Sequence, residues 1–343
     1  TTNITPTLLG LSSSDTAGRD KVVGYFRGES TTYTQENWRL GDIFHSNPVT
    51  IDPPSIYFND TLSWNAFDSF RQANKTREWL MVLGANDGQI HAFATPGLAE
   101  KWSFIPPNLL PKLQLISHAT EPAPSTMNHQ FYVDGPVTVA DVWLGSGDGY
   151  GKTADAWKTL MIVGLGKGVR ASDSDKDPDF LWSSSPSCDS DFRRKYSPTH
   201  PYYCGYWAFD VTSTGATTPS LRWRLNATSY SSDDPKYIDE PWSKMAIGRV
   251  KIGGNEKWVG FIGGGYNVNT DYKDSKKGDD YDDIVTKGKR GKGFFVVDLS
   301  NGNGPFSPPH RWPWMPARSS GSSGGRGIDC HPRTPAGRTG SLR

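Results

Sequence analysis

The sequence predicts an all-β protein, a β-propeller with long loop insertions, on three observations. The first is an antiparallel meander between Glu78 and Pro107, in the stretch EWLMVLGANDGQIHAFATPGLAEKWSFIPP. Trp79 to Leu83 is an apolar run of buried-strand type, and Gly84 to Gly88 turns the chain. Asn and Asp tolerate left-handed backbone angles and Gly adopts them at little cost, so Asn86-Asp87-Gly88 is a hairpin signal. Gln89 to Ala94 returns, Pro96-Gly97 turns again, and Lys101 to Ile105 gives a third strand. The second observation is recurrence. Trp157 to Gly168 and Lys257 to Gly265 are apolar strands ending in glycines, while Gly205 to Arg224 and Gly293 to Gly304 hold a strand followed by a turn. Their cores align as Gln89–Ala94, Tyr206–Val211 and Phe294–Leu299. The third is the abundance of Gly (37) and Pro (25), which favours many turns over long helices. One such meander cannot hide both faces, so it implies stacking against its own kind. Radial repetition does this while leaving only short sheet edges. A sandwich of unrelated hairpins is the competing architecture.

The segments between repeats read as follows. Residues 1–20 are polar and Thr/Ser-rich and read as a poorly ordered lead-in, and 21–303 as the propeller domain. Asp20 to Gly28 is a short helix or strand. In Trp38 to Pro54, Asn47-Pro48 precedes a β-branched strand, Val49 to Ile51, that Pro53-Pro54 ends. Asn59 to Lys75 is the best helix candidate, with Asp60 or Thr61 as its cap and Leu62, Ala66, Phe67 and Phe70 as its apolar face. Asn108 to Leu115 is a short helical or turn segment. Asp134-Gly135-Pro136 turns into an alternating strand, Val137 to Val142. Gly145 to Gly151 lacks the strand–GxxxxGK[ST]–helix setting of a phosphate loop and is given no nucleotide role. From Gly304 to Arg343, proline, arginine, serine and glycine dominate, a composition that buries too little apolar surface to order itself.

Composition narrows the functional classes. A net charge of +1 over 343 residues gives no electrostatic case for nucleic acid or an anionic membrane. No window of about 18 uninterrupted apolar residues exists, so no membrane span is expected. TTNITPTLLG lacks the basic region and apolar run of a signal peptide, so the sequence reads as starting mid-protein or after processing. The 13 tryptophans suit β packing first, and recognition of carbohydrate or protein second.

Few residues suggest chemistry. Cys188 and Cys204 bracket a polar insertion, where a disulfide would reduce the entropy of the unfolded loop by about 3 kcal/mol and would fit an oxidising compartment. The alternative is two unpaired thiols; Cys330 stands alone in the tail. Asp173, Asp175, Asp177 and Asp179 alternate as oxygen ligands do in calcium loops. Pro178 at the sixth position and Ser184 at the twelfth depart from that pattern, and a solvated acidic loop is the alternative. Asp279, Asp280, Asp282 and Asp283 read as a flexible charged loop. His45 beside Ser46 and Asp42 is too local for a catalytic triad, whose members converge from separate loops, and reads as structural hydrogen bonding. The seven histidines are scattered, and His91, within a strand, reads as packing. No catalytic constellation and no organic cofactor are expected.

Several motifs occur in a specific order: Arg27-Gly28, LGDIFHSNPV (Leu40 to Val49), VLGANDGQIHAF (Val82 to Phe93), WSFIPPNLLPKL (Trp102 to Leu113), FYVDGPV (Phe131 to Val137), GLGKG (Gly164 to Gly168), GYWAFDVT (Gly205 to Thr212) and GGGYN (Gly263 to Asn267). Across roughly residues 20–300 this order resembles the C-terminal propeller of the PilY/PilC family of type IV pilus biogenesis factors and tip adhesins. The resemblance implies a modified seven-bladed propeller, incomplete here, either truncated or completed from elsewhere. It implies a place in the periplasm, outer membrane or pilus tip at the surface of Gram-negative bacteria. It also implies support of pilus assembly or resistance to retraction, minor pilins and other pilus components as partners, and attachment to host or abiotic surfaces. A region resembling a von Willebrand A domain usually precedes the propeller and is absent from this sequence. The family's calcium loop follows the point matching Gly293 to Gly302, where this sequence runs into its tail. That site is not carried over, and the insertion at Asp173 does not match it.

Three functional expectations result. The leading one is a non-enzymatic pilus-associated propeller that binds through loops and blade edges. The second is a quinoprotein-like dehydrogenase holding pyrroloquinoline quinone and calcium, against which stand the absence of adjacent cysteines and the LGDIFHSNPV motif. The third is a polysaccharide-binding propeller that uses exposed tryptophan.

Overall fold

The structure is a computed structural model that describes residues 4–28, 40–117, 129–170, 180–189, 199–215, 219–225, 238–266 and 294–303. The chain divides into two units, Thr1–Pro309 and His310–Arg343. The second unit, and with it most of the Pro/Arg/Ser/Gly-rich tail, lies outside the described residues.

Three antiparallel sheets dominate. The first has the order β1-β2-β3-β4, from Val49–Ile51, Trp79–Gly84, Ile90–Thr95 and Glu100–Phe104. The second joins β5 (Val137–Trp143), β6 (Trp157–Gly164), β9 (Tyr206–Asp210) and β10 (Ser220–Arg224) in the order β10-β9-β6-β5. The third is β11-β12-β13, from Ala246–Ile252, Asn255–Gly263 and Phe294–Asp298. A two-residue ribbon, β7 (Trp182–Ser183) with β8 (Tyr202–Tyr203), rises from the insertion between β6 and β9. The all-β expectation holds, in blade-like up-and-down sheets. The three aligned cores turn out to be the third strand of each sheet, β3, β9 and β13. Their pairing corrects the alignment by one residue in the first sheet: Gly84 lies opposite Ile90, Gly164 opposite Tyr206 and Gly263 opposite Phe294, so Ile90 and not Gln89 matches Tyr206 and Phe294.

Helices serve as plugs. α1 (Thr16–Arg27) is capped by the Asp15 carboxylate, which accepts from Gly18 N at 2.8 Å, and it ends at Gly28 with φ 67°. It starts before Asp20, and a 3-10 turn at Thr7–Leu9 buries Leu9, so the segment read as a poorly ordered lead-in carries helical structure from residue 7. α2 (Trp64–Asn74) lies between β1 and β2 and buries Ala66, Phe67 and Phe70 as its sequence pattern predicts. Its cap is Ser63, not Asp60 or Thr61. The reason is electrostatic: the Asp60 carboxylate is fully buried and taken by Lys152 and Arg249. A 3-10 turn at Pro107–Lys112 and the single-turn α3 (Gln114–Ser117) follow the first sheet.

One continuous apolar core runs through all three sheets and α2. Its densest part is aromatic. Phe58, Phe67 and Trp258 ring Trp157, the last two at centroid distances of 4.8 and 5.4 Å. Among the described residues most tryptophans are buried; Trp64 and Trp79 are exposed.

Candidate functional site

The second strand of each sheet ends in glycine: Gly84, Gly164 and Gly263. At this end the segment entering the next sheet crosses close by. A Cβ on Gly84 would sit 2.4 Å from the Val133 carbonyl oxygen, and one on Gly164 2.7 Å from that of Pro241. Any side chain would push neighbouring sheets apart, so the glycines that punctuate the sequence are contact points between sheets as well as strand ends.

Each entering segment carries an aspartate, at differing distances from its strand. Asn86 N donates to Asp42 O at 2.9 Å, Asp134 N to Leu165 O at 3.3 Å, and Asp239 N to Gly264 O at 2.7 Å, tying each segment to the loop after its own second strand. Ser46 Oγ accepts from Gly84 N at 2.9 Å and Ser243 Oγ from Gly263 N at 3.0 Å, two equivalent bonds in the first and third sheets. In the second sheet Gly135 takes the serine position, and Gly164 N donates to Pro136 O instead.

His45 joins the three segments. Its backbone N donates to Asp134 Oδ1 at 3.1 Å and its Nδ1 lies 2.6 Å from Asp134 Oδ2, while its ring meets Trp242 edge-on at 4.9 Å. Asp134 is buried and His45 partly exposed. The sequence neighbours of His45 have other partners. Ser46 holds Gly84, and Asp42 accepts from Asn86 Nδ2 at 2.8 Å and lies 2.8 Å from His129 Nε2. Burial acts to raise the Asp42 pKa, but those two partners outweigh it and hold the carboxyl below its ordinary value. The local His-Ser-Asp grouping is therefore structural, as its spacing suggests.

Around His45 a band of rings and charges crosses the sheet ends. His129 meets Phe131 at 4.8 Å, Phe131 meets Phe44 at 5.9 Å, and Phe44 meets His45 at 4.3 Å. Beyond Trp242, whose Nε1 donates to Glu240 Oε2 at 2.8 Å, the Arg170 guanidinium pairs with Glu240 and lies 5.5 Å from the Tyr266 ring centroid. Lys167 Nζ sits 4.4 Å from the Phe131 centroid. Phe44 is 66% and Tyr266 57% exposed. The band rests on a buried lysine: Lys112 Nζ donates to the carbonyls of Phe131, Gly168 (3.2 Å) and Arg170 (2.6 Å). Exposed aromatic rings beside an arginine on a stiff base are what protein interfaces use as anchors.

The residues singled out from sequence lie elsewhere. Cys188 and Cys204 are bonded, with Cα atoms 6.0 Å apart, beside the β7–β8 ribbon. Cys204 N donates to Leu181 O at 2.8 Å, so the bond closes the described part of the insertion onto the second sheet. Asp173, Asp175, Asp177 and Asp179 lie outside the described residues, as do Asp279, Asp280, Asp282 and Asp283. Among the described residues no group of three or more His, Cys, Asp and Glu side chains is placed to hold a metal ion, and no helix is long and apolar enough to cross a membrane. Sequence reasoning missed the band because its members come from five separated segments. The recurring aspartate before each first strand is the one signal that could have marked it.

Comparison with known proteins agrees with the fold. Residues 40–177 match the family described as PilY1 beta-propeller domain. Type IV pilus biogenesis factor PilY1 of Pseudomonas aeruginosa strain PAK is 34% identical over 171 residues, 47% of this chain and 14% of that protein. The factor of the same name from strain UCBPP-PA14 is 30% identical over 214 residues, 59% of this chain and 17% of that protein. A PilY1 homolog of Xylella fastidiosa strain Temecula1 is 27% identical over 267 residues, 72% of this chain and 14% of that protein. The chain thus spans less than a fifth of the length of these relatives. The crystal structure of the Pseudomonas aeruginosa PilY1 C-terminal domain is 21% identical, with a TM-score of 0.41, over 74% of this chain and 35% of that one.

Proposed function

We propose that this PilY1-like chain is the propeller portion of a type IV pilus biogenesis factor, and that it acts by binding, without chemistry of its own. The observation that carries the reading is the aromatic and cationic band fixed across the entries of all three sheets. It holds two exposed rings, Phe44 next to the His45–Asp134 pair and Tyr266 on a segment bridged to Glu240. Binding costs less when the surface is already ordered. The partner on this reading is a minor pilin or another pilus component, and the place is the pilus tip, outer membrane or periplasm. Support of assembly, resistance to retraction and attachment to host or abiotic surfaces follow from the same docking role. Calcium at Asp173, Asp175, Asp177 and Asp179 remains part of the proposal, tested by calorimetric titration of the intact chain.

The test is capture of purified minor pilins by the immobilised chain. Phe44→Ala and Tyr266→Ala remove exposed rings and leave the core untouched. Loss of capture with an unchanged melting temperature supports the band as the docking surface. Capture equal to that of the unaltered chain in the double variant overturns it.

A further inference from the structure

The segment between β1 and α2 combines two properties that packing alone does not require. It is anchored from beneath at Phe58 and Asp60, and it leaves an aromatic, hydrogen-bonding groove open to solvent. Asp60 is fully buried and receives Lys152 Nζ at 2.6 Å, Arg249 Nη1 at 2.9 Å and Leu62 N at 3.3 Å. Phe58 is held among Phe67, Trp157 and Trp258 at 4.8, 5.8 and 6.0 Å. On the outside of these anchors Ile56, Phe58, Asn59, Thr61 and Trp64 line a shallow groove open to solvent. Ile56 is 65% and Trp64 42% exposed. The side chains of Asn59, Thr61 and Trp64 have no hydrogen-bonding partner among the described residues.

The lining defines the ligand. Among the described residues no charged side chain borders the groove, so those residues offer nothing that selects an acidic peptide, a phosphate or a nucleic acid. A purely apolar occupant would strip water from the Asn59 amide and Thr61 hydroxyl and return no hydrogen bond. The occupant must present an apolar face to the Trp64 indole and hydroxyl-type donors and acceptors at its rim. A sugar ring has this construction, with C–H groups on its face and hydroxyls around its edge, and an indole is a large rigid platform with a polar N–H for it. We propose that the Ile56–Trp64 groove is a binding site for a neutral oligosaccharide. Trp64 is the stacking platform, and Asn59 and Thr61 are the hydrogen-bonding groups. The buried Asp60 with Lys152 and Arg249 keeps the three in place before the ligand arrives.

The test uses the whole chain. It is first applied to an array of neutral oligosaccharides, including cello-, malto- and chito-tetraose, with a heparin tetrasaccharide as the charged comparison. Hits are titrated by tryptophan fluorescence. Neutral hits are expected, with affinity falling about tenfold or more in Trp64→Ala and more modestly in Asn59→Ala and Thr61→Val. Trp79→Ala, an exposed tryptophan outside the groove, should bind as the unaltered chain does. The exposed positions let all four variants keep their melting temperature, which is measured alongside. The inference is overturned if no neutral oligosaccharide on the array binds, if Trp64→Ala binds as tightly as the unaltered chain, or if heparin binds best.

Discussion

Trp102 and Trp223 occupy the same place in two different sheets. Trp102 lies opposite Ala92 and Trp223 opposite Ala208, and in each fourth strand the pairing slips by one residue at the basic residue before the tryptophan, Lys101 or Arg222. A bulge of this kind re-aims the side chain after it. In the second sheet the indole reaches the third: Trp223 Nε1 donates to Leu299 O at 2.8 Å, and its ring lies beside Gly302. Trp223→Phe should lose one buried hydrogen bond and leave the Leu299 carbonyl unpaired, for about 1–3 kcal/mol. Trp223→Ala should cost about 3–5 kcal/mol. Urea unfolding measures both. A Phe variant as stable as the original would mean that the indole N–H does not hold the two sheets together.

Lys152 is wholly buried between two carboxylates. Its Nζ lies 2.6 Å from Asp60 Oδ2 and 2.6 Å from Glu256 Oε1, with the Trp143 ring centroid at 4.9 Å. Arg249 completes a set of two positive and two negative side chains. Burying such a set gives little net stability, but removing one member strands the others, at about 3–5 kcal/mol. Lys152→Met should therefore destabilise by that amount. Adding Asp60→Asn should restore part of the loss, because one stranded charge is gone. A double variant with strictly additive losses would show that the two groups do not interact.

The strands were legible because each is a short apolar run closed by glycine. Tyr206–Val211 and Gln89–Ala94 fall on the same strand of two sheets, one residue out of register. The cap of α2 was not legible. Asp60 looks like a capping residue, but its partners lie 92 and 189 residues away in the chain, and no local pattern announces a long-range ion pair. The same holds for His45, whose carboxylate is 89 residues distant while the nearby Asp42 faces His129. His91 read as packing because it lies in a strand. Its partner Glu100 is reached across a hairpin whose register a bulge displaces.

That histidine gives the fold a pH dependence. His91 is buried, with Nε2 at 2.9 Å from Asp87 Oδ2 and Nδ1 at 2.6 Å from Glu100 Oε1. A neutral imidazole can donate from only one nitrogen; the imidazolium satisfies both carboxylates. Burial opposes the charged form, but the two carboxylates outweigh it and raise the His91 pKa above its ordinary value. A raised folded-state value means that the stabilisation is fully present below the unfolded value of about 6.5 and is lost as pH rises through the folded value. The stability gap between the unaltered chain and His91→Gln should be wider at pH 5.5 than at pH 9. A gap of the same size at both would refute the linkage. Asp87 also accepts from Gly41 N and Gln89 N, both at 3.0 Å, so the hairpin that carries His91 keeps two anchors when the imidazole is neutral.

The Cys188–Cys204 bond should matter through the chain it encloses. The two residues are 16 apart in sequence, and closing a loop of that length removes unfolded-state entropy worth about 3 kcal/mol. Both cysteines are fully buried, and the Cys204 carbonyl accepts from Trp207 Nε1 at 3.0 Å. The bonded end of the loop thus continues into the packing of β9. Cys188→Ser should lower the melting temperature of protein made under oxidising conditions. The same substitution compared in reductant should show a much smaller loss, because the unaltered chain has then lost its cross-link as well. An equal loss in both conditions would mean that Cys188 contributes by packing and that the bond adds nothing.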